Sequence, residues 1–324
     1  MNYVGVDVSK GSLEVASVHG HRRSFHNSDS GIGELVLWLG GTFDIEQVRV
    51  VMEPTSTYHL PLVCALKNHT VAFTLINPSR SAAWTRIQGR RAKTDRQDAL
   101  LLAQMGHSQQ LPPSLPPDEQ QEAMRSLSRH LDWLESEAQA TRNRLEAARF
   151  APWTPDAVLD SLERTLGQLE QEAKQVEQAI ADHCKGHQNL SDQIKLLTSI
   201  PGVGERTATM ILSELPSVQE CPSAKSWVAF CGLNPEPRQS GNSAYSRLGR
   251  AGNARVRARL YLPAVSAVRF NPVIRDMSDR LKQRGKSGRQ RIVAAMHKLL
   301  RLCFGVLKTG QPFDPNRNLV HLCS

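Results

Sequence analysis

The chain has 324 residues, with 40 Lys and Arg against 31 Asp and Glu, a net charge of +9 and a pI of about 9.5. That length exceeds what one hydrophobic core usually fills, so more than one structural unit is expected. No basic and apolar leader and no run of about 18 apolar residues occurs, which excludes a helical membrane span and leaves a soluble, cytoplasmic protein as the expectation.

The positive charge is concentrated. From Arg238 to Arg301 the sequence holds 16 Lys or Arg and only two acids, Asp276 and Asp279, a local charge of +14. A nucleic acid is the partner such a block predicts. The six cysteines, Cys64, Cys184, Cys221, Cys231, Cys303 and Cys323, lack the close paired spacing of a zinc site or a disulfide framework, so reduced, incidental thiols are expected.

Residues 1–110 read as an α/β domain. Tyr3 to Val8, Leu13 to Val18 and a segment near Arg22 to Asn27 have strand patterns, followed by a helical stretch through Leu35, Val36 and Leu39. Val48 to Met52 is a compact apolar strand, Leu60 to Leu66 looks helical, and Val71 to Ile76 is a further strand ended by Asn77 and Pro78. Asp7 interrupts the first strand, and Glu53 ends the strand at Val48 to Met52. A carboxylate in a buried strand is costly unless a metal or hydrogen bonds compensate it. Asp95 and Asp98 stand three apart at the start of a predicted helix and share a face. Four such acids offer hard oxygen ligands suited to Mg²⁺ or Mn²⁺, and paired ions of this kind act on phosphodiesters.

A Pro-rich linker is expected at 111–117. Beyond it, Met124, Leu127, Leu131, Leu134, Ala138, Thr141, Leu145 and Ala148 alternate in steps of three and four, as do Leu159, Leu162, Leu166, Leu169, Ala173, Val176 and Ile180. This is the seam of a coiled coil over 118–190, broken at Ala151 to Pro155; the two helices fold as a hairpin within one chain or pair between subunits. From 191 to 324 a mostly helical domain is expected. It opens on Ile200-Pro-Gly-Val-Gly204, the turn of a helix-hairpin-helix in which Gly202 and Gly204 present backbone N–H groups to a DNA phosphate. Arg247, Arg250, Arg255, Arg257 and Arg259 follow, with Arg255 and Arg259 four apart on one helical face suited to tracking phosphates.

The motifs Gly5-Val-Asp-Val-Ser-Lys10, Met52-Glu-Pro-Thr-Ser-Thr-Tyr58, Lys93-Thr-Asp-Arg-Gln-Asp-Ala99, Ile200-Pro-Gly-Val-Gly204, Gly232-Leu-Asn-Pro235, Arg238-Gln-Ser-Gly241 and Arg269-Phe-Asn-Pro272 occur in that order along the chain. Together they resemble the DEDD-type insertion-sequence transposases, which include the Piv-type invertases and the bridge-RNA-guided recombinases. The resemblance implies an RNase H-like (RuvC-like) N-terminal domain whose Asp7, Glu53, Asp95 and Asp98 bind divalent metal. It also implies a helical middle segment used in assembly of a homo-oligomer, a dimer or a tetramer on DNA, and a C-terminal transposase domain with a nucleophilic serine. Ser240, beside Arg238, is the best match for that serine, with Ser243 and Ser246 as rivals. Double-stranded DNA, at element ends and target, is the implied substrate; a guide RNA is implied by the resemblance alone. A metal-dependent nuclease or junction resolvase without a covalent intermediate is the alternative, and a nucleic-acid-binding protein without catalysis a third.

Overall fold

A computed structural model describes residues 1–87, 95–240, 243–248 and 252–316, with backbone alone at 95–96, 235–240 and 243–248. The chain divides into two compact units, Met1–Pro117 and Asp118–Ser324.

The first unit is a mixed sheet between helices. Strands β1 (Asn2–Val8), β2 (Ser12–Ser17), β3 (Arg22–His26), β4 (Val48–Met52) and β5 (Ala72–Leu75) take the order β3-β2-β1-β4-β5. β1, β2 and β3 are antiparallel neighbours, whereas β4 and β5 run parallel to β1. Strand alternation sorts the side chains. Val4, Val6, Val8, Val50 and Met52 join the core beneath α1 (Asp29–Thr42) and α2 (Leu60–Asn68). Tyr3 and Val51 face the other way and pack with Leu102 and Met105 of α4 (Asp95–Gln109), which follows α3 (Pro78–Ile87).

Gly5 is what lets α4 lie flat on β1. A Cβ there would collide with the Ala99 carbonyl oxygen and stand 2.7 Å from the Ala103 nitrogen, backbone atoms that cannot move aside without displacing the helix. The Pro-rich stretch expected as a linker is docked on the free edge of β5 instead: Ser114 donates its N–H to the Phe73 carbonyl (2.8 Å), its hydroxyl accepts from the Leu75 N–H (2.9 Å), and the Thr74 hydroxyl donates to the Pro112 carbonyl (2.7 Å). An edge strand with its polar groups satisfied in this way is no template for pairing with another chain.

The second unit is mostly helical. Its two longest helices, α5 (Glu119–Phe150) and α6 (Asp156–Gly186), are antiparallel partners within one chain. Arg142–Glu170 (2.6 Å) and Arg149–Glu163 (2.7 Å) join them towards the turn, and His183 Nε2 meets the Gln120 carbonyl (3.0 Å) at the other end. Of the two arrangements the heptads left open, the intramolecular hairpin is present. On α5 the seam residues Met124, Leu131, Leu134, Ala138, Thr141 and Leu145 are buried. On α6 the leucines of the seam are only half-covered.

The remaining helices are α7 (Gln188–Thr198), α8 (Glu205–Glu214), α9 (Ala224–Phe230), α10 (Ala254–Phe270), α11 (Pro272–Gln283) and α12 (Gly288–Thr309). They enclose one core around Trp227 and Phe304, whose rings meet edge to face at 5.3 Å. A two-stranded hairpin, β6 (Pro235–Ser240) and β7 (Ser243–Leu248), lies between α9 and α10. Among the described residues no helix is long and apolar enough to cross a membrane.

Candidate functional site

In the first unit, three of the expected acids come to one end of the sheet, at the C-terminal ends of its central strands β1 and β4 and the start of α4. Val6 pairs with Met52, so Asp7 and Glu53 each stand one residue further along two adjacent parallel strands. Both fall on the face that α4 covers, because they alternate with Val6 and Met52 on the opposite face. α4 runs against the direction of β1: Gly5 meets Ala99 and Ala103, whereas a Cβ on Gly106 would lie 2.6 Å from the Tyr3 ring. Two strand residues advance about 6.6 Å, the length of four to five helical residues. Asp7, two residues beyond Gly5, is therefore opposite the first turn of α4, where Asp95 and Asp98 are placed.

Asp7, Glu53 and Asp98 are half-buried. The Asn27 amide fixes the surroundings by donating to the Ser9 carbonyl (2.8 Å) and the Tyr58 carbonyl (3.1 Å), which ties the β1–β2 turn to the loop after Glu53. Glu14, across the ladder from Asp7, accepts from the Ser24 hydroxyl at 2.6 Å. Among the described residues no three His, Cys, Asp or Glu stand close enough together to hold a metal ion. The Asp95 side chain, and Lys93 and Thr94 of the same motif, lie outside them. The donor chemistry fits Mg²⁺ or Mn²⁺, because the side chains at this end of the sheet are hard carboxylates carried on two strand ends and a helix start.

In the second unit Ser240 ends β6 and pairs with Ser243; Arg238 pairs with Tyr245, Arg247 with Glu236, and Ser246 with Pro237. The base of this hairpin is closed by the Asn253 N–H donating to the Phe230 carbonyl (2.9 Å) and by Arg257 Nη1 donating to the Cys231 carbonyl (2.8 Å). Arg250 lies outside the described residues. Gly202 has φ +102° and its Cα hydrogen side faces α10, where a Cβ would stand 2.7 Å from that of Ala267; the residue serves close packing. Gly204 is the N-cap of α8 and its open side meets nothing within 4 Å.

The structure gives Arg255 and Arg259 partners that the sequence did not suggest. Both reach back to α5: Arg255 and Arg259 each pair with Asp132, Arg259 also approaches Glu135 (3.6 Å), and Arg255 donates to the Ser128 carbonyl (2.9 Å). These two arginines brace α10 against α5 and do not form an open row. At the centre is Glu214, whose side chain is 1% exposed. It accepts two hydrogen bonds from Arg129 (2.7 and 2.9 Å), one from the Asn253 amide (3.2 Å), and lies 3.3 Å from Arg255 Nε. Nothing in the sequence marked this group, since its members lie on α5, on α8 and at the start of α10, some 40 to 130 residues apart.

Burial would raise the Glu214 carboxyl, but the Arg129 hydrogen bonds and charge, with Asn253 and Arg255, more than reverse this and hold it below the usual range. A carboxylate with a depressed folded pKa stabilises the fold above its unfolded pKa and loses that contribution as pH falls through the folded value. Asp132 works in the opposite sense, as burial outweighs its arginines and raises it. Glu214→Ala leaves two guanidinium groups without their shared anion, one of them, Arg255, half-buried and still paired with Asp132. The expected cost is about 3 kcal/mol, which lowers Tm by about 6 to 12 °C in a unit of this size. Calorimetry at pH 7 checks this, and the deficit should shrink as pH falls from the ordinary carboxylate range through the depressed folded value, where the wild-type carboxylate takes up its proton.

Comparison with known proteins gives this arrangement its class. Residues 4–148 match a transposase domain of the DEDD, IS110 type, and residues 194–279 match the transposase IS116/IS110/IS902 family. The chain belongs to the IS110 family of DNA transposases. It is 28% identical over 320 residues to the pilin gene-inverting protein of Moraxella bovis, an alignment covering 96% of this chain and 97% of that one. The pilin gene-inverting protein of Moraxella lacunata is 28% identical over the same extent. An uncharacterized 43.6 kDa protein of insertion element IS110 from Streptomyces coelicolor is 29% identical over 162 residues, half of this chain and 39% of that protein.

Proposed function

We propose that the protein is an insertion-sequence recombinase that cuts and rejoins double-stranded DNA through a serine-linked intermediate, with Mg²⁺ or Mn²⁺ held by Asp7, Glu53, Asp95 and Asp98. The observation that carries this reading is the arrival of Asp7, Glu53 and the first turn of α4 at one end of the sheet. The sheet order β3-β2-β1-β4-β5, with three antiparallel strands followed by two parallel ones, supports an RNase H-like assignment for this unit. A bound divalent ion supplies charge stabilisation at a phosphate oxygen.

In the cleavage step the Ser240 oxygen attacks phosphorus, a serine–phosphate bond forms, and the bond from phosphorus to one deoxyribose oxygen breaks. The serine proton is lost and the departing oxygen takes one up. The phosphoserine keeps the energy of the broken bond, so the reverse attack by a deoxyribose hydroxyl rejoins a strand without an external energy source. Subunit assembly belongs to the same proposal. Its support is the half-covered seam of α6, the coiled-coil pattern of both long helices, and Phe150 and Trp153 beside their turn, each 91% exposed. A structured guide RNA enters through the family resemblance.

The test is to incubate the full chain with element-end DNA in Mg²⁺ and to run the products on a denaturing gel. Protein that stays attached to a cut strand after denaturation, and is released on rejoining, is the expected result. Cut DNA with no attached protein would overturn the serine step and favour hydrolysis at the carboxylates.

A further inference from the structure

Two sets of basic residues in the C-terminal half differ in their partners. Arg255 and Arg259 are spent on the acids of α5, as described above. A second set surrounds the turn between α11 and α12: Lys282, Arg284, Lys286 and Arg289 are all exposed, and among the described residues no acid pairs with them. We propose that this turn is a phosphate clamp that grips the backbone of a nucleic acid during recombination, an inference that rests on the reading above and names the contact surface.

The turn is built to hold its charges in place. α11 ends with Gly285 at φ +74°; the Lys286 N–H donates to the Leu281 carbonyl and the Gly285 N–H to the Lys282 carbonyl, both at 3.0 Å. This is the double hydrogen bond of a left-handed helix cap. Immediately after it, Ser287 caps α12 in a reciprocal capping box with Gln290. Both helix ends are thus closed within six residues, and Arg291 Nη1 reaches the Ser278 hydroxyl (3.4 Å) to link α12 with α11. A charge set carried on such a turn loses little backbone entropy when an anion binds.

Helix stability does not explain these residues. Lys282 suits the negative end of α11, but α12 has no acid in its first turn and carries Arg289 at its positive end, which costs rather than contributes a few tenths of a kcal/mol. A phosphate at that end removes the conflict, since the helix terminus and the arginine then attract the same group. The family-model match over residues 194–279 ends before this turn.

The experiment measures binding of the full chain to a fluorescent DNA duplex and, separately, to an RNA hairpin, over a range of salt concentrations. The fourfold variant Lys282→Gln, Arg284→Gln, Lys286→Gln, Arg289→Gln should flatten the slope of log K against log salt by about 3.6 and weaken binding at least tenfold, because each lost phosphate contact removes about 0.9 of slope on duplex DNA. Which probe shows the loss identifies the nucleic acid. Arg284→Lys with Arg289→Lys, which keeps the charge, should bind as the wild type does, and Arg144→Gln with Arg164→Gln and Lys174→Gln, on the exposed faces of α5 and α6, should leave the slope unchanged. An unaltered slope for the fourfold variant on both probes, or an equal loss in the α5–α6 variant, would overturn the clamp. Wild-type protein that binds with a steep slope yet never forms an adduct would sink the recombinase reading and leave the clamp standing.

Discussion

Asp7→Asn and Asp98→Asn should each reduce strand cleavage by about a thousandfold or more while leaving the fold intact. A polarising divalent ion contributes several kcal/mol to a phosphoryl transition state, and each 1.4 kcal/mol is a factor of ten in rate. Asn keeps the size and the polar character of Asp, so neither the β1 ladder nor the packing of α4 on Gly5 is disturbed. What changes is one negative charge and one hard ligand at this end of the sheet. Two readouts separate ligand loss from misfolding: Mn²⁺ binding by calorimetry should weaken in both variants, and Tm without metal should stay near that of the wild type. Glu46→Gln, on the exposed turn before β4, should keep both cleavage and metal binding. Cleavage at the wild-type rate in Mg²⁺ by either Asn variant would remove these acids from the metal site.

The first unit was legible because its signals are local. Period-two alternation in Tyr3 to Val8 and the compact apolar run Val48 to Met52 name their own strands, and the structure adds only their order and register. Asp7 and Glu53 stood out for the same reason, each a charge where an apolar residue is the rule. The steps of three and four along α5 were equally local, and the prolines of Ala151 to Pro155 set the break. The hairpin itself was not local: Arg142 with Glu170 and Arg149 with Glu163 join the two helices across the turn-around, and spacing along either helix does not encode those pairs.

Elsewhere sequence spacing carries no information about the partner. Arg255 and Arg259 looked like one basic helix face, and they are one; but Asp132 and Glu135 of α5 form another face, and only the tertiary fold presses the two together. The stretch 111–117 has linker composition, yet its anchoring is by backbone groups to β5, which composition does not encode. The β6–β7 hairpin was hidden by Pro235 and Pro237, residues that argue against a strand unless it is a short one at an edge. The basic turn at 282–289 was readable in principle, since Gly285 and Ser287 punctuate a run of four bases, but it was absorbed into the charge of the whole block.

Ser240→Ala should bind DNA with the salt dependence of the wild type, since no charge is lost, and form no covalent adduct. The hairpin makes this a discriminating test. Ser243 is paired directly with Ser240, about 5 Å away between Cα atoms, whereas Ser246 pairs with Pro237 three residues nearer the base, about 10 Å along the strand. A site arranged to attack one phosphorus atom tolerates displacement of roughly an ångström, so the three serines cannot substitute for one another without moving the hairpin. The base of that hairpin is pinned by Asn253 to the Phe230 carbonyl and, through its side chain, to Glu214, while Arg257 holds the Cys231 carbonyl. Ser243→Ala and Ser246→Ala should therefore retain the adduct. An adduct that persists in Ser240→Ala and vanishes in one of the other two would move the nucleophile to that residue; one that persists in all three would remove the hairpin serines from the chemistry.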